Sequence, residues 1–159
     1  ETQHGADFIS SKLLYGNSIF NASMALWRKD LYKEVSPTFT TFKFCGDWLF
    51  WIELANRGNV HINGRLLNYF RKHDDDVSGK SYKSGLNFIE ELRIIDIMFK
   101  ESLIDKHQYK TAYERKFKQY RKVKAGFSKS TRESINHLFN HPLNSKPSFL
   151  KRILSNIGL

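Results

Sequence analysis

The stretch that decides the fold reads Cys45-Gly46-Asp47-Trp48-Leu49-Phe50-Trp51. Gly46 interrupts the preceding segment, and Asp47 then stands where a helix N-cap belongs, in front of an apolar run. Glu53 is the only charged residue of that run, which continues to Ala55, and a helix that is apolar on every side must be buried. Arg57-Gly58 marks its end, because glycine readily adopts the left-handed conformation that closes a last turn. The stretch therefore predicts a buried helix that begins with one carboxylate.

Two short strand-like runs follow this helix. Asn63-Gly64, a strong signal for a two-residue hairpin, lies between residues 59–63 and residues 65–71. The second run ends in Arg71-Lys72-His73. A carboxylate and several cations thus lie at the ends of secondary-structure elements, where binding and catalytic sites are usually built.

In order and spacing, these segments resemble the second half of a family 2 glycosyltransferase. The likeness covers roughly residues 17–78 and is carried by Gly46-Asp47-Trp48, Gly58-Asn59-Val60, Leu67-Asn68-Tyr69-Phe70-Arg71-Lys72-His73 and Val77-Ser78. In that family an acidic pair opens the buried helix. Here Gly46 replaces the first acid, so only Asp47 matches the position of the catalytic base.

The resemblance implies an inverting, non-processive transfer of a sugar from a nucleotide-diphosphate donor to a hydroxyl acceptor, as in cell-surface polysaccharide biosynthesis. The Gln-x-x-Arg-Trp signature of processive synthases is absent from the sequence. A sugar hydroxyl is a poor nucleophile, and a carboxylate such as Asp47 can accept its proton as the new bond forms. The simpler interpretation of Asp47 is a helix cap, and both roles are compatible.

The resemblance also implies a substrate-binding set of Trp48, Arg71, His73 and Ser78. Strand alternation places Arg71 and His73 on the same side, where they would face the donor's diphosphate. His73 would either bind the divalent metal, Mn or Mg, that is expected for the complete enzyme or donate a hydrogen bond to an oxygen. The alternatives are surface positions for Arg71 and His73 and a core position for Trp48. Asp74-Asp75-Asp76 is better interpreted as an acidic turn than as the metal motif of the nucleotide-binding half.

That nucleotide-binding half is missing from the sequence, which has neither its βαβ pattern nor a glycine-rich phosphate loop. We therefore expect the chain to be the acceptor-side part of a larger transferase, inactive by itself. Its expected partners are the missing N-terminal half, a nucleotide-sugar donor and a hydroxyl acceptor, which is lipid-linked in many such enzymes. The apolar surface that normally faces the other half would be exposed, which predicts self-association.

The 159 residues carry a net charge of +10, and the charge is unevenly spread. Residues 1–80 hold 10 Lys and Arg against 9 Asp and Glu, whereas residues 81–159 hold 16 against 7. We predict an α/β architecture, a partial GT-A-like domain over residues 1–80 with short mixed or antiparallel strands around the Asp47 helix, followed by a basic helical extension over 81–159. The single Cys45 and the lack of a long apolar run predict a cytoplasmic chain. The basic C-terminal helices would hold it peripherally at the inner face of the membrane.

Apolar residues spaced three or four apart predict amphipathic helices over 87–103 and 109–127, and a shorter one over 133–139. The helix over 109–127 is strongly basic, so an alternative function is a nucleic-acid-binding or membrane-surface docking module without catalysis. Residues 1–16 are expected to form a connecting segment, and residues 18–27 a short strand.

Overall fold

A computed structural model describes residues 1–69 and 83–140, which are mainly helical with one small sheet. The strands are β1 (Thr2–His4) and β2 (Asn59–His61), and the helices are α1 (Gly5–Phe8), α2 (Gly46–Ala55), α3 (Leu86–Lys100), α4 (Lys106–Val123) and α5 (Lys129–Phe139). A π-helical segment, Ile9–Leu13, follows α1 directly, and short 3-10 helices cover Ala22–Met24, Lys29–Glu34, Pro37–Thr41 and Lys124–Gly126.

The sheet pairs β1 with β2 in antiparallel register, with Gln3 opposite Val60. The Gly5 amide extends the pairing by donating to the carbonyl of Gly58 over 2.8 Å. Residues 1–16 are therefore not a connecting segment. They form β1, α1 and the π-helical segment directly after α1, which contributes buried side chains. The expected strand over 59–63 is confirmed in part, but its partner is β1. Residues 65–69 do not form the predicted second strand of the hairpin, and residues 70 and 71 lie outside the described ranges.

The prediction of a strand over residues 18–27 is wrong. The backbone is extended at Asn21 and at Ala25, but the 3-10 helix Ala22–Met24 separates these two positions. Among the described residues this segment has no strand partner. Several of its large side chains are exposed, and Phe20 and Leu26 are 76% and 103% exposed.

Helix α2 is buried as predicted, and its N-terminus lies two residues earlier than expected. Cys45 occupies the N-cap position without a capping side-chain hydrogen bond, so Asp47 lies in the first turn rather than at the cap. A carboxylate there still interacts favourably with the positive end of the helix dipole. Glu53, the only charge in the apolar run, is buried and accepts the Ser36 amide over 2.6 Å, so the carboxylate keeps a hydrogen-bond partner away from water.

One hydrophobic core joins the N-terminal segments to the two long helices. It contains Ile9, Leu49 and Ile52 from the first part of the chain together with Leu92 and Tyr109 from α3 and α4. A smaller cluster, formed by Phe88, Tyr120, Phe127 and Ile135, packs α5 against α3 and α4. The predicted domain boundary at residue 80 falls outside the described residues.

The three predicted C-terminal helices are confirmed within residues 83–140, with boundaries shifted by a few residues. Asp105 begins α4 with a capping box: its carboxylate accepts the Gln108 amide over 2.7 Å, and the Gln108 side chain accepts the Asp105 amide over 2.9 Å. An α/β class holds only in the coarse sense that a two-stranded antiparallel sheet accompanies the helices. None of the helices in residues 1–69 and 83–140 is long and apolar enough to cross a membrane.

Candidate functional site

The Asp47 carboxylate lies in the first turn of α2 and reaches solvent. Its Oδ1 accepts the Trp48 amide over 2.8 Å, and its Oδ2 accepts a hydrogen bond from Asn17 Nδ2 over 2.9 Å. The Asn17 side chain is fixed in turn, because its Oδ1 accepts the Ile19 amide over 2.9 Å. Two neighbours therefore hold the carboxylate in one orientation at the protein surface.

The pKa of Asp47 is raised above its ordinary value. Partial burial is the largest cause, because the charged carboxylate loses some of its water. Hydrogen bonds from the Trp48 backbone and from Asn17 act in the opposite direction by stabilising the ionised form. A carboxylate with a raised pKa accepts protons more readily, which suits a general base.

The loop that leads into α2 is held by the buried carboxylate of Glu90, on α3. Glu90 Oε1 accepts the Lys43 amide over 2.8 Å, while Oε2 accepts the amides of Phe44 and Cys45 over 2.8 and 2.9 Å. Glu90 is only 3% exposed, so these three donors satisfy a carboxylate that water hardly reaches. The position of Asp47 thus depends on a helix about forty residues further along the chain.

Trp48 lies in the core, where it cannot bind substrate in this chain. It is 1% exposed, and its indole N–H donates to the carbonyl of Leu13 over 2.9 Å. The Lys116 ammonium, which forms a 2.9 Å ion pair with Glu91, lies 5.9 Å from the centre of the Trp48 ring. The substrate-binding role implied for Trp48 is therefore wrong in this structure, because the ring has no open face for a sugar.

A second anchor of the Asp47 region is the pair of Arg115 and Tyr15. The guanidinium carbon of Arg115 lies 4.7 Å from the centre of the Tyr15 ring. Tyr15 precedes Asn17 by two residues, a distance of at most about 7 Å along the chain. This contact places the middle of α4 next to the segment that binds Asp47.

Arg71, His73, Ser78 and the acidic residues 74–76 lie outside the described residues, so their roles stay predictions. Across residues 1–69 and 83–140 no three or more His, Cys, Asp or Glu side chains form a group that could hold a metal ion. The oxygens of Asp47 are directed to Asn17 and to the backbone rather than toward a second carboxylate. The divalent metal of the complete enzyme therefore stays an expectation drawn from the resemblance.

The residues that position Asp47 are not predicted by the sequence. Asn17 lies at the start of the resembling region but was assigned no role, and nothing in its spacing marks it. A weak indication exists for three charged residues within amphipathic helices: Glu90, Glu91 and Lys116. In the structure Glu90 and Lys116 are buried and Glu91 is partly buried.

Comparison of the chain with protein-family models, with curated proteins and with solved structures gives no match.

Proposed function

We propose that this chain is the acceptor-side part of an inverting, non-processive glycosyltransferase in which Asp47 is the catalytic base. The observation that carries the proposal is the Asp47 carboxylate, oriented by Asn17 and Trp48 and open to solvent at the start of a buried helix. The order of motifs over residues 17–78 is the reason for proposing this family. The partly buried setting of Asp47 supports the role, because a general base benefits from a raised pKa.

In the proposed reaction Asp47 accepts the proton of an acceptor hydroxyl. The hydroxyl oxygen then forms a bond to the anomeric carbon of the donor sugar from the face opposite the diphosphate. The bond from that carbon to the diphosphate oxygen breaks, its electron pair leaves with the nucleoside diphosphate, and the anomeric configuration inverts. A divalent metal, together with Arg71 and His73 as the resemblance implies, would stabilise the charge of the departing diphosphate.

Exposed apolar side chains support the view that another domain covers part of this chain. Asn68 Nδ2 donates to Ser23 Oγ over 2.9 Å, so the segment that ends at residue 69 lies beside residues 21–23. Both segments expose large apolar side chains: Phe20, Met24, Leu26, Trp27, Leu66, Leu67 and Tyr69. The proposal assigns this surface to the missing nucleotide-binding half. Alone and at high concentration, the chain is expected to self-associate, and a strictly monomeric species in light scattering would contradict this.

The test is Asp47→Asn in the complete transferase. The substitution keeps an oxygen for the Trp48 amide but removes the proton acceptor. We expect turnover to fall by roughly a hundred- to ten-thousand-fold, with unchanged donor affinity and a melting temperature no lower than that of the parent. Asp7→Asn, at an exposed carboxylate of α1, is the matched control and should transfer sugar at the parental rate. A parental rate in Asp47→Asn would leave Asp47 with a structural role only.

The exposed cations of α4 and α5 favour a second candidate, a docking module for nucleic acid or for an anionic membrane surface without catalysis. Residues 106–140 contain ten Lys and Arg but only two Glu, and the single ion pair formed by a cation of this stretch among the described residues is that of Lys116. Retention on DNA at low salt, or co-sedimentation with vesicles rich in anionic lipid, would support this candidate. The same vesicle experiment tests the expected location at the inner face of the membrane.

A further inference from the structure

A shallow basic groove of about 370 Å³, open to solvent, lies along one exposed face of α4, and all of its lining residues belong to that helix. Its lining consists of three cations, one carboxylate and two neutral side chains that can donate hydrogen bonds: Arg115, Lys118, Lys122, Glu114, Thr111 and Gln119. The formal charge of the lining is therefore +2. Within the described part of the chain, its three cations form no ion pair and donate no hydrogen bond.

Arg115 is held ready for a ligand by its contact with Tyr15. The guanidinium carbon lies 4.7 Å from the centre of the ring, so the aromatic face restrains the position of the guanidinium group. A planar guanidinium offers paired N–H donors that match two oxygens of one phosphate. Lys118 and Lys122 follow at intervals of three and four residues, which places all three cations on one side of α4.

The groove is joined to the Asp47 site through two contacts. Arg115 contacts Tyr15, and Asn17, two residues later, donates to the Asp47 carboxylate. Lys116, the neighbour of Arg115, lies over the ring of Trp48, the residue that follows Asp47. The Arg115 end of the groove therefore contacts the segment that also binds the proposed base.

We propose that this groove binds a phosphate monoester. Such a group carries a charge of about −1.5 to −2 at neutral pH, which complements the formal charge of the lining. That the phosphate belongs to the hydroxyl acceptor of the Asp47 reaction rests on the proposed function, whereas phosphate binding itself does not. The same chemistry is offered by a soluble phosphate ester and by the headgroup of phosphatidic acid.

The full chain is titrated calorimetrically with glycerol 3-phosphate, and separately with phosphatidylcholine vesicles with and without phosphatidic acid. The test variant combines Lys118→Gln with Lys122→Gln. Its matched control combines Lys110→Gln with Arg121→Gln, which removes the same charge from exposed positions of α4 outside the groove. We expect saturable binding that weakens about tenfold or more in the test variant, because charge-assisted hydrogen bonds are lost, and that changes less in the control.

Arg115→Lys distinguishes a specific phosphate site from non-specific electrostatic attraction, because it keeps the charge and removes the planar donor pair. We expect this variant to bind glycerol 3-phosphate more weakly, with an unchanged melting temperature. Binding of glycerol 3-phosphate identifies a soluble ester as a sufficient ligand, whereas binding only to vesicles that contain phosphatidic acid identifies the lipid headgroup.

Three results would overturn the proposal. The first is no saturable binding of either probe, and the second is an equal loss of binding in the control variant. The third is a test variant that binds both phosphate probes as the parent does but binds an added oligonucleotide more weakly. The proposed function can fail separately. If the complete protein transfers no sugar, phosphate binding in the groove still stands. If it transfers sugar equally well to acceptors with and without phosphate, the groove loses its assigned role while the transferase activity stands.

Discussion

The carboxylate of Glu90 accepts the backbone amide of Cys45 over 2.9 Å, although 45 residues separate them in the chain. Glu90 belongs to α3, whereas Cys45 is the N-cap residue of α2. With the amides of Lys43 and Phe44, the bond makes one buried side chain the shared acceptor for the whole turn that precedes Asp47. The start of the proposed catalytic helix is therefore fixed from outside that helix.

Glu90→Gln should destabilise the protein. Glutamine has one acceptor oxygen instead of two, and its amide group would face backbone N–H donors. We expect a loss of about 1–3 kcal/mol in the free energy of unfolding for each buried donor left unpaired, measured by urea denaturation. Glu133→Gln, at an exposed position of α5, is the control and should change stability by less than about 0.5 kcal/mol. Equal effects in both variants would show that the three amides do not depend on Glu90.

Gly46→Glu, which restores the acidic pair of the resembling family, should impair folding rather than improve activity. A Cβ atom at Gly46 would lie 2.4 Å from the carbonyl oxygen of Phe39, a backbone atom that cannot rotate away. We expect Gly46→Ala already to cost about 1–3 kcal/mol in thermal unfolding, and Gly46→Glu at least as much. Gly126→Ala meets no atom within 4 Å and should leave stability unchanged or raise it by about 0.4–1 kcal/mol.

The ion pair of Lys116 with Glu91 should show strong coupling in a double-mutant cycle. Both side chains are largely buried, at 5% and 15% exposure, so Lys116→Met leaves an unpaired carboxylate in the interior. We expect a loss of about 3–5 kcal/mol for this single change, and recovery of most of it when Glu91→Leu is added. The same cycle on the exposed pair of Arg28 and Asp30 should give little coupling. Additive losses at Lys116 and Glu91 would contradict the buried pair.

Asp47→Asn should become more stable than the parent as the pH rises. Because burial raises the pKa of Asp47 in the folded state, the folded protein holds this proton more tightly than the unfolded chain. The parent therefore loses stability from the unfolded pKa of about 3.9 up to the folded pKa, and the difference is constant above it. Urea denaturation at pH values about one unit apart, from roughly pH 3 to pH 8, measures this difference in stability.

Asp30→Asn supplies a control of opposite sign for that pH series. Its hydrogen bond with Arg28 lowers the pKa of Asp30, so the ionised carboxylate stabilises the fold above the unfolded pKa and loses this effect as the pH falls. Relative to the parent, Asp30→Asn should thus become less stable with rising pH. If Asp47→Asn followed the same direction, the Asp47 carboxylate would be stabilised rather than desolvated by its surroundings.

The sequence was sufficient to predict the four longer helices, α2 to α5, because their signals are local. The apolar run that starts at Trp48, the glycine at residue 58 and the spacing of apolar residues in α3 and α4 each depend on neighbours within a few positions. The boundary at the start of α2 differs from the predicted one. Asp47 has the sequence features of a cap, but the N-cap is Cys45 and α2 starts two residues earlier, with Gly46 close to the carbonyl of Phe39.

The strand pairing and the supports of Asp47 could not be predicted in the same way. Pairing of β1 with β2 joins residues almost sixty positions apart, and β2 was assigned to a nearer partner because Asn63-Gly64 is a strong local hairpin signal. The Glu90 carboxylate accepts three backbone amides. A sequence does not show which backbone amides a side chain will bind. Asp47 was found because a family pattern marks it, whereas Asn17 became visible only through its hydrogen bond.

The adjacent carboxylates Glu90 and Glu91 link α3 to two different parts of the molecule. One holds the turn before α2, and the other holds Lys116 of α4. A local opening of α3 would release both at once, so the amide protons of residues 43–45 should exchange with solvent as slowly as those of α3 itself. The turn before the proposed base then opens together with α3 as one cooperative unit, although it is irregular in backbone structure.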